Sequence, residues 1–132
     1  MTQPILTGAR ILVVEDEAII AFDLQAMLSE AGALVVGPAR TLRAAEQFAT
    51  EVDISAAILD IRLDGKTIFS VARQLADRGI PFAFHTGAAE GHGLDTDWPG
   101  AEVLIKPAAR ATILATLSKL IDRQDQHQAP RS

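Results

Sequence analysis

Short apolar runs separated by longer stretches of helical period organise this chain. The runs are Ile11–Val14, Leu34–Val36, Ala56–Leu59, Pro81–Phe84 and Val103–Ile105, none with in/out polar alternation. Unbroken apolar runs of this length suit strands covered on both faces by helices. Between them, Ile20, Leu24, Met27, Leu28 and Ala31 recur on one helical face, and Gly32 supplies a stop. Leu42, Ala45 and Ala49 mark a second helix with Thr41 as its N-cap. Ile68, Val71, Ala72, Leu75 and Ala76 form a third stripe ended near Gly79, and Ile113, Leu114, Leu117, Leu120 and Ile121 form the last. Strands and helices alternating in this way predict a three-layer α/β domain around a parallel sheet. The segment Gly87–Gly100 (GAAEGHGLDTDWPG) is poor in helix formers where a fourth helix is due, so a long loop or one broken turn is expected there.

Composition narrows the class. With 132 residues, 48% hydrophobic and 22% charged, the chain fits a single globular domain. A net charge of −5 argues against a nucleic-acid binder, which needs a basic face. The absence of cysteine excludes disulfides, thiolate zinc sites and thiol nucleophiles. Residues 1–10 lack a basic start followed by a long apolar run, and no run is long enough to span a bilayer. A soluble cytoplasmic protein with no membrane partner is therefore expected, with an N-terminal extension over 1–8, a folded domain over 9–122 and a flexible polar tail over 123–132.

Ligands of open parallel sheets gather at the carboxyl ends of the strands. The residues that follow the apolar runs are Glu15-Asp16-Glu17, Asp60, His85-Thr86-Gly87 and Lys106-Pro107. Carboxylates, a hydroxyl and an ammonium thus converge on one edge from strands distant in sequence. Clustered carboxylates repel and call for a cation. Oxygen donors without cysteine or paired histidine favour Mg²⁺. A neighbouring Lys and Thr suit a phosphoryl group beside that metal. Taken singly, each of these residues has a bland reading as a solvated acid, a turn hydroxyl or a surface lysine.

Taken together, ILVVEDE, the LD of AAILDIR, the Thr-Gly of FHTGA and the Lys-Pro of VLIKP resemble the receiver domain of response regulators, CheY-like, over residues 9–122. The resemblance implies a flavodoxin-like (βα)5 three-layer sandwich with a parallel five-stranded sheet of order 2-1-3-4-5 and a fourth helix that is short or disordered. It implies Asp60 as phosphoacceptor, and Glu15, Asp16 and Asp60 as ligands of Mg²⁺ (or Mn²⁺) with the backbone carbonyl of Arg62. It also implies Thr86 as the hydroxyl that meets the phosphoryl oxygen, Lys106 as its charge partner, and a cis peptide before Pro107. Arg62 and Ala88 would flank the attack path, and Gly87 would leave room for the phosphoryl group. The implied partner is a sensor histidine kinase or a histidine phosphotransfer protein, and the implied oligomeric state is monomer or weak homodimer. Such a protein is a phosphoacceptor that catalyses its own modification rather than a turnover enzyme.

Two features depart from the common receiver pattern. Receivers usually carry an aromatic three residues before the lysine, a switch residue that here is Val103, and the chain has no Tyr. The stretch PFAFHTGA is similar to the PFxFATGY stretch of single-domain regulators known for a FATGUY motif, with His85 in place of Ala and Ala88 in place of the aromatic. That narrower resemblance implies HWE/HisKA2-like kinases as partners and the segment after Thr86 as the switch.

Three rivals are weighed against this reading. Gly65-Lys66-Thr67 mimics the end of a phosphate-binding loop, but Asp60 stands where its first glycine must fall. An aspartate-nucleophile phosphatase would want an acid two residues after the nucleophile, where Arg62 stands. A pseudo-receiver that binds partners without phosphorylation is the more serious alternative, because the switch aromatic is missing.

Overall fold

The protein is described by a computed structural model covering residues 5–87 and 94–128. In chain order the first elements are β1 (Arg10–Val14), α1 (Ala18–Glu30), β2 (Leu34–Ala39), α2 (Leu42–Glu51) and β3 (Ala56–Leu59). Then follow β4 (Arg62–Leu63), β5 (Lys66–Thr67), α3 (Phe69–Asp77), β6 (Phe82–Thr86), α4 (Leu94–Asp97), β7 (Glu102–Ile105) and α5 (Arg110–Gln128). The five long strands form one parallel sheet in the order β2-β1-β3-β6-β7, the flavodoxin-like order expected once the small β4-β5 hairpin is set aside.

The unbroken apolar runs of the central strands β1 and β3 are explained by burial on both faces, whereas the edge strands β2 and β7 leave Leu34 and Ile105 exposed. Leu12 and Val14 of β1, Ala57 and Leu59 of β3 and Phe84 of β6 pack with α2 and α3. Their neighbours Ile11, Val13, Ala56, Ile58 and Ala83 pack with α1 and α5 on the other side. Successive side chains of a strand point to opposite faces, so each face needs its own apolar set. One core is rich in aromatics, with Phe69, Phe82, Phe84 and Trp98 in mutual ring contact, whereas the other is aliphatic.

Local signals act where the pattern predicts. Thr41 Oγ1 accepts the backbone N–H of Ala44 at 3.1 Å and opens α2. Gly32, at φ +92°, terminates α1 in the left-handed conformation. Among the described residues of the Gly87–Gly100 stretch, the fourth helix is a single turn of four residues, Leu94–Asp97.

Several boundaries move. β6 extends beyond the predicted run to include His85 and Thr86, because both pair with β7, opposite Leu104 and Ile105. α5 continues through Gln128, across part of the span 123–132 expected as a flexible tail, and residues 129–132 lie outside the described residues. The extension expected over 1–8 joins the domain at its end: Leu6 is buried in the α1–α5 core, and its N–H donates to the Ala31 carbonyl at 2.8 Å. The sequence pattern misses the β4-β5 hairpin. Asp64 and Gly65, with φ +52° and +78°, form its two-residue turn, so the phosphate-loop mimic is a hairpin.

Candidate functional site

Ladder hydrogen bonds place the site at the carboxyl edge of the sheet. The Glu15 N–H donates to Ala39, that of Asp60 to Val14, and that of Lys106 to the Thr86 carbonyl, at 2.8–3.0 Å. Each bond lies where a strand ends and its helix-bound connection begins. Residues separated by up to ninety positions therefore share one cleft, lined by Asp16, Glu17, Asp60, Arg62, Thr86, Gly87 and Lys106, with a volume of about 370 Å³.

Glu15, Asp16 and Asp60 each offer a carboxylate oxygen, all within 4.8 Å of one another. Glu15 is fully buried, Asp60 nearly so and Asp16 half-buried. Lys106 Nζ lies 2.8 Å from Glu15 Oε1 and 3.2 Å from Asp60 Oδ2, and 4.0 Å from the more exposed Glu17. One ammonium thus faces three clustered carboxylates. Burial, reinforced by Asp60, raises the Glu15 pKa to about 7, partly offset by its contact with Lys106. Burial acts to lower the Lys106 pKa, but Glu15 and Asp60 outweigh it and hold the amine above its ordinary value.

The donor set fits a hard divalent cation. It consists of three carboxylates with oxygens within 4.8 Å of one another, an excess of negative charge over the single Lys106 ammonium. Glu15, Asp16 and Asp60 are the residues that would hold it.

Second-layer contacts fix the carboxylates. The Asp64 N–H at the hairpin turn donates to Asp16 Oδ2 at 3.0 Å, and Arg40 donates to the Asp16 carbonyl at 2.9 Å. Glu15 Oε2 accepts the Glu17 N–H at 3.2 Å. Sequence reasoning passes over Asp64 and Arg40. The Asp64-Gly65 pair was the available signal, as a two-residue hairpin turn beside the Asp60 strand end.

Not every predicted site residue enters the cleft. Thr86, Gly87 and Arg62 line it, with Thr86 buried and the Arg62 side chain exposed. Ala88 lies outside the described residues. Val103 is half-buried against the aromatic core, where Trp98 also packs, and is absent from the cleft lining. The Lys106–Pro107 peptide is cis, as expected, and Pro107 lines a separate apolar hollow with His85 and α1. His85 is buried, and its Nδ1 has no hydrogen-bond partner among the described residues. Burial lowers its pKa to about 4, so the ring is neutral at physiological pH.

No family model and no curated protein matches the chain. Solved structures do. The response regulator PhyR from Brucella abortus superposes with a TM-score of 0.81 at 28% identity, over 95% of this chain and 53% of that one. PhyR from Bartonella quintana, an anti-anti-sigma factor, is likewise covered over 51% of its length, so this chain spans about half of the PhyR chains it matches. The receiver domain of a sensor histidine kinase from Pseudomonas aeruginosa, with a magnesium ion coordinated in its active site cleft, matches at TM-score 0.75 and 27% identity, over 88% of this chain and 99% of that one. No helix among the described residues is long and apolar enough to cross a membrane. The five-stranded parallel sheet, the acidic cluster at its carboxyl edge and these neighbours support a response-regulator role on a CheY-like receiver fold.

Proposed function

We propose that the protein is a cytoplasmic response regulator whose Asp60 accepts a phosphoryl group from a phosphohistidine. The observation that carries this reading is the contact of Lys106 with both Glu15 and Asp60 inside a cluster of three carboxylates. An Asp60 carboxylate oxygen attacks phosphorus, the P–N bond to the donor imidazole breaks, and the imidazole leaves with its electron pair and takes up a proton. Lys106, 3.2 Å from Asp60, is placed to neutralise the phosphoryl oxygens as charge spreads over them. Magnesium, when bound, would supply the remaining positive charge that the three acids lack. Thr86 offers its hydroxyl to the transferred group, Gly87 leaves space beside it, and the Arg62 carbonyl would join Glu15, Asp16 and Asp60 in holding the metal. Arg62 and Ala88 tune the lifetime of the acyl phosphate.

The donor is a sensor histidine kinase, of HWE/HisKA2-like type, or a histidine phosphotransfer protein. Ile19 and Phe22 on α1 are 77% and 69% exposed beside the site and offer it apolar contact. The protein catalyses its own phosphorylation and slow hydrolysis, and turns over no separate substrate. With Val103 at the switch-aromatic position, the segment after Thr86 carries the response, as in the FATGUY subgroup. Val103 also favours the second reading, a pseudo-receiver that binds partners unmodified. Incubation with magnesium and a small acyl phosphate, followed by intact mass, separates the two. One added phosphoryl group, absent in Asp60→Asn, is expected; no addition to the wild type would leave the pseudo-receiver.

A further inference from the structure

The opposite edge of the sheet holds a cleft of about 380 Å³ that the proposed phosphoryl chemistry does not use. Its rim carries two guanidiniums. Arg10, at the start of β1, donates through Nε to the Asp53 carbonyl at 2.9 Å. Arg78, just past α3, donates through Nη1 to the Ala49 and Val52 carbonyls at 2.6 and 3.0 Å. One edge of each side chain is thereby anchored to backbone. Among the described residues, neither guanidinium has a carboxylate within 4.0 Å, and no hydrogen bond engages the Arg10 terminal nitrogens or Arg78 Nη2. An anchored guanidinium with a free fork is matched in shape to an oxyanion, and little side-chain entropy is left to lose.

The rest of the lining fits the same ligand class. Ser55 accepts the Arg10 N–H through Oγ and keeps its own O–H to donate, and Gln124 of α5 adds an amide. Ile54, Ile80 and Ile121 give the cleft an apolar wall that can take the body of a small organic molecule. Asp53 is the single acid in the lining, and its structural hydrogen bond runs through its backbone carbonyl.

We propose that this amino-edge cleft binds a small oxyanion-bearing molecule, a phosphate monoester or a carboxylate, between Arg10 and Arg78. The ligand sits at the far end of β1 and β3 from Asp60, away from the carboxylate cluster.

The test is an NMR titration of the full chain in magnesium-free buffer at constant ionic strength, with inorganic phosphate in one arm and acetate in the other. Saturable shifts are expected at the amides of Ser55, Ile80 and Gln124 and not at those of Asp60 and Lys106. Saturation by phosphate alone or by acetate alone supports the site and names the source of the oxyanion. Arg10→Gln weakens binding about tenfold. Asp53→Asn, which keeps the backbone carbonyl bonded to Arg10, tightens it roughly threefold by removing the opposing charge. Shifts that grow linearly in both arms and persist in Arg10→Gln mean an adventitious ion only and overturn the proposal, as does an affinity indifferent to Asp53→Asn.

Discussion

At the amino edge of the sheet, Arg78 caps the carbonyls of Ala49 and Val52, and Arg10 ties β1 to the Asp53 carbonyl. At the carboxyl edge, Lys106 stands between Glu15 and Asp60 with Asp16 close by, and His85 Nδ1 is buried without a hydrogen-bond partner among the described residues. Both edges belong to the same strands and the same two cores. They differ in what their charges complete. The arginines satisfy carbonyls that folding itself leaves open at the end of α2 and before β3, so their anchored edges contribute to stability. The acids of the other edge accept the N–H groups of Glu17 and Asp64, yet they crowd one another, and their mutual repulsion costs stability unless a further positive charge arrives. A group kept at such a cost marks a site rather than a scaffold.

The strongest way to break this contrast is to remove the acceptor. Asp60→Asn eliminates phosphoryl incorporation from a small acyl phosphate, read by intact mass, while the circular dichroism of the fold is unchanged. Lys106→Ala comes next: the phosphorylation rate falls on the order of 10²-fold, as when one charge-stabilising donor is removed from a reacting centre. A rate within twofold of wild type would show that the Lys106 contact with Asp60 is only structural.

The pH dependence of stability sharpens the comparison from the buried side. The folded His85 pKa, about 4, lies below the ordinary 6.5. Glu15, its pKa raised from 4.5 to about 7, holds more protons in the folded state and adds stability as pH falls through that interval, whereas the His85 ring holds fewer and costs stability as pH falls from 6.5 towards 4. The His85 loss reaches at most about 3 kcal/mol. Urea unfolding across that range measures the net slope, and His85→Ala leaves the Glu15 contribution alone, so the variant gains stability relative to the wild type as pH falls, whatever its effect at neutral pH.

The amino edge responds in the opposite manner. Arg78→Ala leaves the Ala49 and Val52 carbonyls without their donor and lowers unfolding free energy by about 1–3 kcal/mol, with the phosphorylation rate unchanged. The smallest effect carries the reverse sign: Asp16→Asn removes one of the three crowded acids and raises stability by about 0.5–1 kcal/mol in magnesium-free buffer. Added magnesium then stabilises the wild type and not the variant, since a ligand stabilises only the state that binds it. Thermal melts with and without the ion check both signs.

The amino-acid order alone determined the elements of periodic segments and the identity of the strand-end residues. Ile11–Val14 and Ala56–Leu59 suit strands wrapped by helices, because a short apolar run with no polar break has no face to turn to water and is too brief for a helix of its own. Glu15, Asp60 and Lys106 were legible as a group because each follows such a run, and parallel strands deliver their ends to one edge. The tertiary structure alone decided which of them touch. The Lys106 ion pairs, the fully buried Glu15 and the Asp64 amide on Asp16 depend on the stagger of β1, β3 and β7 and on a hairpin whose strands are two residues long. The arginine cleft was equally invisible, since Arg10 and Arg78 lie in different elements and carry no motif. Periodicity reports which way a side chain faces, whereas the distance between two charges is set only when separate strands are registered against each other.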